Sequence, residues 1–501
     1  MIIRRAPGIE AVSRVARSRP YVWFSLRVVT VSGALVLLWV TSQRLGGAAG
    51  VAAGACMVVV AALPTVLRLR CDVLDPVGVY SAFSICIFGL TSFLWMGRPW
   101  EPAPGIDQAD VTDALAIVAV GLLAFTVGAW PFGAARRRER LAMPNRSLPP
   151  APLLIGLVAV GAVGAAVGIS SRTIGIGSHA RPQMGALATS QPLYQLALLG
   201  SMVVLATALV TFACGCRYRF LIAMTLVQVL IGFFAGFKGL SLIPVALVFL
   251  AYIACASRIP WRPIVITLVV ALLVLLPATA LYRKIRAPAQ YSRSSSPLQV
   301  AWRQFKDYTV FRFREIDHVA LIHTRTPSTY PYAGGSRYIA LPALMIVPRA
   351  LWPDKPILND GLSFSHSYWQ IPPYLNSASP LTQPGDLYRS FGLVGVILGL
   401  CIWGAVVGGF GAACRRWRSP RVEMILLFSL ITWVADVEVD LPQLILTTSK
   451  TVPALVAVSW LLLPGSRQDP GFRILLRHLG RLLPHRAERA ATPSLRNSGR
   501  G

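Results

Sequence analysis

Residues 336–399 read SRYIALPALMIVPRALWPDKPILNDGLSFSHSYWQIPPYLNSASPLTQPGDLYRSFGLVGVILG. Two kinds of sequence meet here. The first apolar pieces are too short to cross a bilayer and are interleaved with Pro, Arg, Lys, Asp and aromatic residues, whereas the last residues run straight into a hydrophobic helix. Polar groups in such a stretch need water, protein or a charged ligand as partner, because lipid offers none. Pro342, Pro348, Pro353 and Pro356 are expected to break any helix, which suits a re-entrant, cavity-lining loop.

Outward from this stretch the chain is apolar. Of 501 residues, 55% are hydrophobic and only 14% charged, against about 25% charged in a soluble domain. That excludes a soluble globular protein and implies an all-α polytopic membrane protein. At about 20 apolar residues per crossing, about twelve transmembrane helices are expected. Helices 1–9 lie within residues 21–281 and helices 10–12 within 391–464, the final candidates (422–437 and 452–463) being short. The first, 21–41, is too long for a signal-peptide core and is expected to stay attached.

Charge sets the orientation. The net charge of +28 is almost wholly arginine, lysine occurring only at 238, 284, 306, 355 and 450. With the N-terminus inside, Arg68 and Arg70, Arg136–Arg140, Arg217 and Arg219, Arg258 and Arg262, and Arg415–Arg421 all fall in the cytoplasm. Residues 1–20 then form a cytoplasmic basic tail. Residues 465–501 form another, in which Arg473, Arg477 and Arg481 mark one face of an interfacial amphipathic helix. The eight cysteines lie in apolar spans or at their cytoplasmic ends, so no disulfide is expected, and Cys214-Gly-Cys216 lacks the second ligand pair of a zinc site.

Residues 282–390 form the large extracytoplasmic loop. It carries thirteen basic and six acidic residues, a net +7 outside, where anchoring to the membrane gives no explanation and an anionic ligand does. Within it, residues 299–324 read as an amphipathic helix, with Trp302, Phe305, Ile316 and Val319 expected on the membrane and Arg303, Lys306, Arg314 and Asp317 facing other groups. Two further outer features stand beside the loop. Lys238, at the tight turn 237–239, reads as a snorkelling anchor or a phosphate contact, and Asp436, Glu438 and Asp440 read as a functional cluster or a solvated helix end.

Three elements in the loop and the helix that follows it carry a resemblance: Ile346-Val-Pro-Arg-Ala-Leu-Trp-Pro-Asp-Lys-Pro356, then Pro384-Gly-Asp-Leu-Tyr-Arg-Ser-Phe-Gly392, then a glycine-rich helix through Gly395 and Gly399. Together, over about 60 residues, the pattern resembles the O-antigen polymerase (Wzy-type) family, whose members polymerise oligosaccharide repeat units. The twelve-span layout with a late outer loop fits the same family. The resemblance implies a metal-independent glycosyltransferase-type polysaccharide polymerase of the cell membrane, active on its extracytoplasmic face. Its substrate would be an oligosaccharide on undecaprenyl diphosphate, transferred to a hydroxyl of another lipid-linked unit. A chain-length regulator and a flippase are the implied partners, with no nucleic acid and no cofactor.

Such a reaction sets two tasks. The leaving diphosphate gains charge, which fixed cations stabilise, and arginine suits this because its planar fork grips phosphate oxygens and stays charged. The candidates are Arg349 and Lys355, then Arg337, Arg389 and Lys238. Arg349 reads equally as a cation stacked on Trp352. The second task is to take a proton from the acceptor hydroxyl. Asp386 is the first candidate base, with His366 and Glu315 behind it, and its alternative role is an ion pair or a helix cap. Trp352, Tyr368 and Tyr388 are candidates to stack on sugar rings or to serve as interfacial belt residues.

No histidine pair has metal-ligand spacing, and no phosphate-cradling or dinucleotide motif appears. Two rival classes stay open: a polyprenyl-phosphate-sugar-dependent C-type glycosyltransferase, and a non-enzymatic flippase or transporter of lipid-linked sugars. The first usually places paired acids in the first outer loop, which here is Ser42-Gln-Arg44. The second is expected to show internal repeats and charges deep in several spans.

Overall fold

The computed structural model describes residues 20–92, 105–133, 141, 149–171, 184–215, 218–234, 238–256, 259–270, 274, 278, 315–347, 351–352, 360–372 and 379–463. Among them the secondary structure is entirely helical. Among the described residues seven helices are long and apolar enough to cross a membrane, so this is a membrane protein.

In chain order the first helices are α1 (Pro20–Leu45), α2 (Gly47–Val66), α3 (Pro76–Ser84, continuing as a π-helix to Leu90) and α4 (Gln108–Ala129). Next come α5 (Ala151–Ser170), α6 (Met184–Cys214), α7 (Tyr218–Phe234), α8 (Lys238–Ala256) and α9 (Trp261–Val270). Three short helices follow: α10 (Glu315–Arg325), α11 (Ser336–Ile346) and α12 (Asp360–Ser367). Then come α13 (Gln383–Arg416), α14 (Pro420–Ser429, continuing as a π-helix to Val434) and α15 (Leu441–Leu462).

The starts of these helices are written locally. Asp75, Thr382, Ser419 and Asp440 each accept a hydrogen bond from a backbone N–H in the first turn, with a proline at the start of the helix that follows. Asp107 and Asp110 form a reciprocal capping box on α4.

Small residues set how closely the helices approach. A side chain at Gly128 of α4 would collide with the carbonyl of Cys401 on α13, and one at Gly404 with the carbonyl of Phe125. The pair is parallel, since Gly121 lies against Val396 and Leu400 while Phe132 lies against Gly408. α2 is parallel to α4 as well, with Gly47 beside Gln108 and Gly54 beside Leu115. One end of the bundle therefore collects the α4 capping box. The opposite end gathers Arg68 and Arg415 on the fully buried carboxylate of Asp75, at 2.7 and 2.9 Å.

α13 is not one straight rod. Gly392 adopts φ 68° and ψ −159°, a region open essentially only to glycine. A Cβ at Gly395 would lie 2.7 Å from the carbonyl oxygen of Leu387, and one at Gly399 would meet the Leu387 side chain. Residues 12 apart in a straight helix are separated by about 18 Å. Residues 383–391 therefore double back along 393–416. The start of this folded-back piece lies about 12 Å below its tip. There Gln383 accepts a hydrogen bond from Tyr80, which stacks on Phe125 near the C-terminal end of α4.

Two expectations are corrected. α10 does not lie on the membrane: Ile316 and Val319 are 1% exposed, packed with α4 and α13. Its hydrophobic stripe finds protein because the chain returns into the bundle; Trp302 and Phe305 lie outside the described residues. The last helix begins at Leu441, well before residue 452. The run Thr447-Thr-Ser-Lys450 lowers hydropathy without interrupting the helix. The proposed C-terminal amphipathic helix also lies outside the described residues.

Candidate functional site: a buried arginine between two carboxylates

The doubled-back helix places Asp386 in its first turn, 0% exposed. Arg337 of α11 reaches it with Nη1 at 2.8 Å from Oδ1 and uses Nη2 to hold Oδ1 of Asp440 at 3.1 Å. Tyr338, the next residue, donates its hydroxyl to the other Asp386 oxygen at 2.5 Å. Asp440 is 3% exposed and also caps α15 by accepting from the Gln443 N–H at 2.9 Å. One guanidinium thus joins three separate segments. Arg389 is a further electrostatic neighbour of Asp386.

Local sequence explains the convergence. Gly334 and Gly335 both have positive φ, and Gly335, with φ 71°, is pressed against the ring of Phe391, so α11 starts at the tip of the doubled-back hairpin. The turn before α15 lies beside the start of α13: the Thr382 N–H donates to Glu438 O and the Gln383 N–H to Val437 O. Both α13 and α15 therefore begin inside the bundle. Their positive N-terminal dipole ends favour the acids in their caps and first turns.

A second polar group lies on α10. His318 Nδ1 donates to Glu315 Oε2 at 2.7 Å, walled by the ring edges of Phe364 and Trp369. Burial alone lowers the pKa of His318, but the charges of Glu315, Asp317 and Glu438 outweigh it and raise the value above the ordinary 6.5.

The expected site residues separate into groups. Asp386, Arg337 and Arg389 are brought together. Glu315 is committed to His318. His366 donates from Nδ1 to the Ile371 carbonyl at 2.8 Å, at the end of α12. Tyr368 is buried, hydrogen-bonded to Thr326 at 2.7 Å and packed between Tyr330 and Phe364, so its faces are covered by protein rather than presented to a sugar. Tyr388 is half-buried against the edge of His323, and Trp352 is half-buried. Arg349, Lys355 and the side chain of Lys238 lie outside what the structure describes; Lys238 begins α8. Pro342 does not break α11, which continues through it while exposing the proline ring on its outer face. Only the one N–H bond toward Tyr338 is forgone.

Sequence reasoning passed over Tyr338 and His318 and left Asp440 ambiguous. Signals for all three exist: Gly-Gly-Ser-Arg-Tyr at a helix start, Glu-x-x-His at one-turn spacing, and Asp-Leu-Pro-Gln as a cap. Among the described residues, no three His, Cys, Asp or Glu side chains are grouped to hold a metal ion.

An apolar cavity of about 360 Å³ opens between α1, α2, α4, α10 and α13, lined by Trp39, Met57, Ile117 and Leu393, with Asp113 and His323 as its polar members.

Residues 167–416 match a family described as a domain of unknown function (DUF8712). The matched region includes Arg337, Tyr338 and Asp386 and stops short of Asp440. No curated protein and no solved structure matches the chain.

Proposed function

We propose that the protein is a membrane glycan polymerase with twelve spans and both termini inside, working at the outer face of the cell membrane. It transfers an undecaprenyl-diphosphate-linked oligosaccharide to a hydroxyl of another lipid-linked unit. The observation that carries this reading is that Asp386, from the Pro-Gly-Asp-Leu-Tyr element of the resemblance, meets Arg337 and Tyr338 in one buried charged centre. The apolar cavity beside α10 suits a polyprenyl chain.

In the reaction the acceptor oxygen attacks the anomeric carbon while the carbon–oxygen bond to the diphosphate breaks. The hydroxyl proton passes to Asp386 and the polyprenyl diphosphate leaves with the bonding pair. In the buried ion pair Arg337 neutralises Asp386. A diphosphate drawn to the same guanidinium competes with that carboxylate and frees it to act as base. Arg389 adds positive charge nearby, and Arg349 and Lys355 are the proposed cations of the neighbouring segment.

One observation favours a second reading. Two helices begin deep in the bundle beside buried charges, an arrangement also used by transporters. An in vitro assay separates the two: purified protein in vesicles, given a lipid-linked oligosaccharide, should lengthen it. Movement of the unchanged substrate across the bilayer without lengthening would instead establish a translocator.

A further inference from the structure

α11 has two unlike faces. Arg337, Tyr338, Leu341 and Leu344 turn inward, and the leucines are 6% and 1% exposed. The other flank carries Ile339, Pro342, Ala343 and Ile346, with Ile339 81% and Ile346 78% exposed. From Tyr338 to Val347 there is no charged residue that water would solvate. An amphipathic helix on a protein surface normally shows its polar face outward. This one is inverted.

The apolar flank adjoins a larger apolar surface. Tyr338 touches Phe391, with ring centroids 5.7 Å apart. From Phe391 the exposed face of α13 continues through Leu393, Val394, Leu398 and Ile402, on a helix long and apolar enough to cross a membrane. The direction of α11 follows from its contacts. Gly335 sits at the hairpin tip against Phe391, and Arg337 lies at the level of Asp386, below that tip. The helix packs on α15, whose cap Asp440 lies beside Arg337 and which leads to Leu463, whose carbonyl accepts from Arg421 at the far end. α11 therefore descends into the bundle. Its eleven residues span about 16 Å, roughly half of a hydrocarbon core of about 30 Å.

We propose that α11 is a re-entrant half-helix whose Ile339–Pro342–Ile346 flank lies against lipid acyl chains, so that Arg337 and Tyr338 form the wall between bilayer hydrocarbon and the buried carboxylates. The inference rests on membrane insertion alone and stands or falls independently of the polymerase reading. It gives the centre a lateral, lipid-facing side, the side from which a membrane-anchored molecule would arrive.

Spin labels test it. In a variant with its cysteines replaced, nitroxides at Ile339→Cys and Ile346→Cys are compared in vesicles with Val394→Cys on α13 and Ser328→Cys in the exposed turn after α10. Collision with oxygen is expected to exceed collision with a water-soluble nickel chelate at both α11 sites, as at Val394, by several-fold over Ser328, with 346 deeper than 339. A water-like ratio overturns the proposal. So does shielding from both reagents, which would mean that a protein segment covers the flank, and so does equal depth, which would mean a helix lying flat. If the cysteine-replaced chain does not fold, a photoreactive benzophenone side chain at Ile346 in the otherwise native chain gives the same decision. Adducts of lipid mass support the proposal, and cross-links only to protein overturn it.

Discussion

Arg337 carries two carboxylates that water does not reach. Removing one partner of a buried ion pair leaves an uncompensated charge, so Arg337→Ala should destabilise the protein by about 3–5 kcal/mol. Adding Asp386→Asn and Asp440→Asn to that variant should recover part of the loss, since no charge is then stranded. Tyr338→Phe should lose about 1.5–3 kcal/mol through its hydrogen bond to a charged acceptor. Unfolding in nanodiscs, monitored by denaturant or temperature, measures all three. His318 gives a pH signature. Its pKa is raised in the folded protein, so the protonated form is favoured there, and its contribution is full below about 6.5 and lost as pH rises through the folded value. The stability difference between wild type and His318→Gln should therefore shrink as pH is raised above about 6.5 and through the folded value; a difference that grows with pH would contradict the assignment. At this scale the sequence was half legible. Asp386 stood out because Pro-Gly-Asp-Leu-Tyr-Arg is a polar motif at the edge of an apolar run. Arg337 ranked low because nothing local announces that Asp440, 103 positions away, is its second partner.

At the scale of elements, the decisive feature is the reversal at Gly392. Its backbone is one that other residues adopt at a cost of about 1–3 kcal/mol, and Tyr332 leaves little room, with its hydroxyl 3.1 Å from where a Cβ would stand. Gly392→Ala should therefore destabilise the fold by at least that amount and loosen the hairpin, raising amide exchange in residues 383–391 before it rises in 393–416. Gly128→Leu should be worse for the bundle as a whole, because it drives α4 from α13 along their closest approach. Hydropathy located this region well: a helix expected from residue 391 does begin its long limb there. The folded-back limb was invisible because 383–391 has the caps and composition of an ordinary helix start. Whether a chain reverses at one glycine depends on a dihedral choice that periodicity does not encode. α10 was misplaced for a related reason, since an amphipathic pattern shows that one face is covered but not whether lipid or protein covers it.

At the scale of the whole molecule, the two ends of the bundle differ. Arginines tie the loops at one end through Asp75, and the charged centre is enclosed toward the other. The membrane class was legible from composition alone, because too few charges are present to coat a soluble surface of this size. The centre was not, since it is assembled from α11, α13 and the start of α15 by tertiary packing. The polymerase reading makes this centre the working part of the molecule. It is tested most directly by the length distribution of surface polysaccharide in a deletion strain complemented with wild type or with Asp386→Asn at matched protein level. Long chains are expected with wild type and single repeat units with Asp386→Asn, a loss of about 100-fold or more in polymerisation if the carboxylate is the base. Wild-type chain lengths from Asp386→Asn, or lipid-linked units accumulating on the cytoplasmic side of the deletion strain, would contradict it.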